Sequence, residues 1–170
     1  MDVQATAEEI RRQVSRALVG SGVEVDDVGI HPAGKRRLVR VSVARELAGL
    51  DPADHDSPVE PLSLDEVAAA TRLVSTTLDE SPVLGQAPYT LEVSSPGVDQ
   101  PLTTPARFRR NVGRLLTLQV GSQEVTGRLL AVGPDGIRLD ADPERVLAFE
   151  QVTRARVEVE FTRPSSGKDR

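Results

Sequence analysis

Apolar residues recur along the first part of the chain with two periods, and each period names an element. Ile10, Val14, Ala17 and Leu18 fall at helical spacing behind Thr6-x-x-Glu9, a capping box in which hydroxyl and carboxylate each reach the other residue's backbone amide. With Gly20 as the residue just past the end, this spacing predicts a helix over about 7–19. Val23, Val25, Val28 and Ile30 then mark a strand whose alternation slips at Asp26-Asp27. A turn at His31-Pro32-Ala33-Gly34-Lys35 leads to a second strand with Val39, Val41 and Val43 inward. Residues 46–62 are rich in Asp and Pro and carry no apolar period, which predicts a loop long enough to be mobile or functional. Ser63-x-x-Glu66 opens a second amphipathic helix over about 64–80, with Val67, Ala70, Val74 and Leu78 on its apolar stripe.

Strict alternation returns at Tyr89, Leu91 and Val93, a strand with one buried face. It stops at Ser95-Pro96-Gly97, where proline fixes φ and glycine is free to take a positive φ, and Gln100-Pro101 holds the next residues extended. Past this connector the texture changes. Thr104-Pro105 starts a short helix to about Asn111. Five short strands follow at about 114–120, 123–132, 136–140, 144–149 and 153–160, joined by tight turns. The pattern predicts an α+β protein of two domains. Residues 1–95 are an α-β-β-α-β domain with a three-stranded sheet and both helices on one face. Residues 96–102 are a rigid connector, 103–162 a small β-barrel whose closure removes exposed edges, and 163–170 a disordered tail.

Charge divides along the same line. Residues 1–102 hold 9 Lys and Arg against 17 Asp and Glu, a balance of −8, while residues 103–170 hold 12 against 9, a balance of +3. An acidic module joined to a mildly basic one suits a partner that is part RNA, part basic protein. With 1 Tyr, 3 Phe and no Trp, RNA binding on stacked aromatic platforms is not expected. The chain has no Cys, which removes disulfides, thiol nucleophiles and thiolate metal sites, and suits a reducing compartment. Neither a signal-peptide pattern at the N-terminus nor an apolar run of membrane-spanning length is present in the sequence.

Candidate chemistry is sparse. Asp54-His55-Asp56 offers ligand types but lies in one polar loop with no second cluster, so it reads as a solvated loop. His31 reads as a turn residue, Ser94 and Ser95 lack a nucleophile-elbow context, and Gly133 to Gly136 fits a turn and not a phosphate loop. No catalytic residue, metal or cofactor is expected. The charged tip Lys35-Arg36-Arg37 reads as solvated. Arg107, Arg109, Arg110 and Arg114 form the densest cationic group, with 107, 110 and 114 sharing a face while the helix lasts.

The segment YTLEVSSPGVDQPL, Tyr89 to Leu102, resembles the signature of the bacterial ribosome maturation factor RimP family, usually LEVSSPG-(L/V/I)-DRPL. The resemblance extends into PARFRRNVGRLLTLQV and back into the preceding helix. It implies a cytoplasmic, non-enzymatic protein of two domains that binds the free small ribosomal subunit during assembly, through rRNA and a decoding-region ribosomal protein. It also implies that the barrel is SH3-like or Sm-like. A monomer is expected, with no small-molecule substrate and no membrane. The signature residues Ser94, Ser95, Pro96, Gly97, Asp99, Gln100 and Pro101 read first as a turn that sets geometry. Gln100 stands where the family has arginine, and an amide cannot reproduce a guanidinium fork. The competing readings are a generic RNA-binding protein with a KH-like first domain and, more remotely, a hydrolase using the acidic loop at 51–56. Against the former, the first domain is acidic and has no G-x-x-G loop between helices.

Overall fold

The computed structural model describes residues 2–96, 100–141 and 143–160. The chain forms two compact units, one of Met1–Asp51 with Glu60–Gly97, the other of Pro52–Val59 with Val98–Arg170. The first unit runs α1 (Val3–Leu18), β1 (Val23–Ala33), β2 (Arg36–Arg45), α2 (Leu64–Asp79) and β3 (Tyr89–Ser94). Its sheet has the order β1-β2-β3, antiparallel between β1 and β2 and parallel between β2 and β3. A parallel pair needs a long crossover, and α2 supplies it. Ile10, Val14 and Leu18 of α1 and Ala70, Val74 and Leu78 of α2 share one core with Val39, Val41 and Val43 of the central strand.

Most local signals hold, and the departures have physical causes. The Ser63–Glu66 capping box is formed: Ser63 Oγ accepts from the Glu66 amide at 3.1 Å and Glu66 Oε1 accepts from the Ser63 amide at 3.1 Å. Arg45 Nη2 also donates to that carboxylate at 2.8 Å. The Arg45 bond, then the Ser63 amide, hold the Glu66 pKa down at about 2. The expected cap at Thr6 is not used. Asp2 caps α1 instead, accepting from the Gln4 amide at 3.0 Å, and Thr6 lies buried inside the helix with its hydroxyl donating to the Asp2 carbonyl at 2.9 Å. Two cap residues four apart compete, and the earlier one wins because it adds a helical turn. The slip at Asp26-Asp27 is a β-bulge, where the register shifts between Val25 and Asp27. There Asp26 accepts from Ser42 Oγ at 3.2 Å through its carboxylate, and from Arg11 Nη2 at 3.0 Å through its carbonyl. The expected His31–Lys35 turn is tighter than the sequence suggests. β1 runs on through Pro32, which is tolerated on an edge strand, and Gly34-Lys35 alone make the turn, with Gly34 at φ +65°.

In the second unit, α3 (Pro105–Arg109) precedes β4 (Leu115–Val120), β5 (Gln123–Val132), β6 (Gly136–Asp140), β7 (Arg145–Ala148) and β8 (Val152–Val157). The five expected strands are present, but the expected closed barrel is not. They form an antiparallel sheet of order β7-β6-β5-β4-β8, and among the described residues β7 and β8 do not pair. β7 is only four residues long and gives way to a 3-10 turn at Phe149–Gln151, so its ladder ends before it could meet β8. All five strands still contribute to one core, including Leu118, Leu129, Leu139, Leu147 and Ala155. Phe108 of α3 joins it, its ring 5.7 Å from that of Phe149. Gly136 is required by a close approach, since a Cβ there would lie 2.1 Å from the Leu147 carbonyl oxygen.

Residues 46–62 were expected to lie wholly within the first domain. Pro52–Val59 instead belongs to the second unit, where the His55 carbonyl accepts from the Val132 amide at 2.8 Å. This strap is no free solvated loop.

Candidate functional site

The signature connector begins at the edge of one sheet. β3 alternates half-buried Tyr89, Leu91 and Val93 with exposed Thr90, Glu92 and Ser94, and its parallel register ends at the Ser42–Ser94 pair. Ser95 and Pro96 are exposed, as are Gln100 and Pro101. The signature positions Gly97 and Asp99 lie outside the described residues, as does the tail expected at 163–170. The second unit takes hold of the chain at Leu102, which is buried and donates its amide to the Ala155 carbonyl at 2.9 Å. Thr104 Oγ1 then accepts from the Arg107 amide at 3.2 Å, capping α3 with Pro105 in its first turn.

The four arginines do four different things. Arg107 reaches back, donating from Nη1 to the Pro101 carbonyl at 3.2 Å and to Thr103 Oγ1 at 3.0 Å, so it braces the end of the connector. Arg109 is only 8% exposed. Its Nη1 donates to the Ser57 carbonyl at 2.5 Å and its Nη2 meets Asp54 Oδ1 at 3.3 Å, so this side chain clamps the strap and presents no outward charge. Arg110 is half-buried, and burial pushes its guanidinium pKa below the ordinary value. Arg114 is exposed and near enough to Glu160 to help hold that carboxylate's pKa down, behind the Arg128 hydrogen bond. α3 ends at Arg109, so Arg114 falls past it and the shared helical face of 107, 110 and 114 is not formed as expected.

The sequence pattern marks Asp54 only as part of a solvated loop and does not mark Ser57, yet the two are bonded to each other and to Arg109. Asp54 Oδ1 accepts from the Ser57 amide at 2.9 Å, and Oδ2 accepts from Ser57 Oγ at 2.5 Å. The Ser57 bonds, first through its hydroxyl and then its amide, pull the Asp54 pKa down, with the Asp56 amide and Arg109 adding to the effect. Asp-x-x-Ser after a proline is a readable local turn, but its long-range partner 52 residues away is not. Arg154 is the other residue missed. It is exposed on β8 next to buried Ala155, and lines a cleft of about 330 Å³ with Pro101, Thr104, Phe108 and Phe149. Exposed Arg154 and half-buried Arg107 therefore stand near the point where the connector enters the second unit.

Such a site can hold anionic or carbonyl-rich surfaces by charge and hydrogen bonding. Among the described residues no three His, Asp or Glu side chains gather to hold a metal ion. Among them, too, no helix is long and apolar enough to cross a membrane.

Comparison with known proteins adds the lineage. Residues 13–99 match the RimP N-terminal domain family. The chain is 41% identical over 162 residues to a protein of Kineococcus radiotolerans named ribosome maturation factor RimP, spanning 86% of this chain and 74% of that one. It is 40% identical over 170 residues to the protein of the same name in Frankia casuarinae, spanning 90% of this chain and 59% of the other. Matched across its first unit by the family and across most of its length by these relatives, the chain belongs to the RimP family.

Proposed function

We propose that this protein is a non-enzymatic ribosome maturation factor that binds the immature small ribosomal subunit and assists its assembly, as a monomer in the cytoplasm. Membership of the RimP family carries the reading, because the relatives are named for ribosome maturation. The local geometry agrees with a binding role: the signature runs from an exposed strand edge to Leu102, and cationic Arg107 and Arg154 border the cleft beside it or brace its end. Arg110 and Arg114 are further candidate contacts in this reading, while Arg109 serves the interior. Phosphate contacts require no more than arginines of this kind and would be salt-dependent. Contact with a decoding-region ribosomal protein as well as rRNA is part of the same proposal.

Co-sedimentation with free small subunits and with assembled ribosomes tests it. Preferential binding to the free subunit is expected. Equal binding to both particles, or to unrelated RNA, would instead favour general RNA affinity of the KH-like kind.

A further inference from the structure

The strap Pro52–Val59 is held by polar contacts. Its anchors include the His55 carbonyl on the Val132 amide at 2.8 Å, and the Ser57 carbonyl and Asp54 carboxylate on Arg109. Among the described residues the apolar core of the second unit is built from residues between Leu102 and Val157, and it takes no strap side chain. A cleft of about 580 Å³ lies beside the strap, lined by Ala53, His55 and Asp56 on one side and by Ala131, Ile137 and Leu147 on the other. A segment held by polar contacts, with no side chain in the apolar core among the described residues, opens at a free energy well below global unfolding. Opening also changes charge. The second unit holds 12 Lys and Arg against 12 Asp and Glu with the strap in place, and 12 against 10 without it.

We propose that the strap is an autoinhibitory contact in which Asp54 occupies the Arg109 guanidinium in place of an RNA phosphate, and that RNA binding lifts it. The lifted state is the more positive one and uncovers a cation that the closed state buries. A polyanion therefore binds the lifted state better, and that differential affinity shifts the equilibrium toward it. Asp54 offers Arg109 a carboxylate where the nucleic acid would offer a phosphate oxygen, and both accept from the same donors. The choice of RNA as partner rests on the assembly-factor reading above, whereas the lability of the strap does not.

The test is amide hydrogen exchange of Val132 in the full chain, with a short RNA hairpin as probe. Saturating hairpin is expected to speed Val132 exchange in the unaltered protein, and Asp54→Asn to speed it about tenfold without RNA. Asp54→Asn should also tighten hairpin binding about threefold and steepen its salt dependence. Asp56→Asn removes the same charge without touching the Arg109 clamp, so it should leave Val132 exchange unchanged and affect affinity less. Slower or unchanged Val132 exchange on adding the hairpin would overturn the inference, as would equal effects of the two substitutions. If Asp54→Asn lowers global stability, the hairpin arm on the unaltered chain still decides. Strap displacement by hairpin in a protein that ignores small subunits would refute the assembly reading and leave the strap inference standing.

Discussion

The two units solve the same packing problem with different means. The first covers a three-stranded sheet with two capped amphipathic helices, so its core is closed by apolar stripes that each helix carries at regular spacing. Among the described residues the second has one five-residue α-helix for its five strands, and it recruits eight residues from inside the other unit's sequence to bind Arg109 and the Val132 amide. Apolar closure tolerates local change because neighbours repack, whereas a polar clamp on a buried cation has few substitutes. The difference teaches where each half of the chain is brittle.

Glycine substitution gives the widest contrast. Gly136→Ala drives a Cβ into the Leu147 carbonyl, which is backbone and cannot move aside, so a loss of about 3 kcal/mol is expected. Gly29→Ala in β1 meets only the Nε2 end of His31, at 2.9 Å, and should cost about 0.5 kcal/mol or less, since that ring can swing away. Chemical denaturation of both variants checks this, and similar losses would end the contrast. Replacing Pro52–Val59 with a short Gly-Ser loop comes next. It should leave the first unit as stable as before, yet lower the Tm of the intact chain's second unit by several degrees, because Arg109 and the Val132 amide lose their partners. Calorimetry with separate assignment of the two transitions reads the outcome.

A smaller effect tests the helix caps of the first unit by pH. Glu66 has its pKa lowered from 4.5 to about 2, so its contribution to stability is complete above about pH 4.5 and is lost as pH falls toward about 2. Glu66→Gln should flatten that part of the pH profile of the first unit's unfolding and leave the second unit's profile alone. The smallest effect belongs to the connector. Gln100 is exposed, so Gln100→Arg is expected to tighten small-subunit binding by only about 0.5 kcal/mol. A gain of tenfold or more in titrations at low salt would show that the family's arginine meets a desolvated partner group.

Elements whose cause is local were legible in the sequence, and contacts whose cause is distant were not. The Ser63 cap, the bulge at Asp26 and the inward faces of β2 and β3 could all be read from neighbouring residues. The cap of α1 was misplaced because Thr6 and Asp2 carry equally good capping chemistry, and only the upstream turn decides between them. Strand number in the second unit was readable from alternation and turns, whereas closure depends on how far β7 continues, which the short Arg145–Ala148 run does not reveal. At the candidate site, charge density marked four arginines but could not sort them by direction. Burial of Arg109 and the recruitment of Asp54 and Ser57 are tertiary events with no periodic signal.

The recruited strap also sets an order of events during synthesis. Ser57 leaves the peptidyl-transferase centre 52 residues before Arg109 does, a wait of roughly 3–10 s at about 5–20 residues per second. For that interval the nascent segment lacks its Arg109 partner, while α1, β1 and β2 upstream of it already exist to begin collapsing. A slower stretch of codons between α2 and β4 would lengthen the exposure, and proteases or chaperones that read extended acidic peptide would meet it then. The second unit, by contrast, finds its missing piece already made and tethered nearby, so its completion is intramolecular and first-order from the moment Val132 clears the exit tunnel.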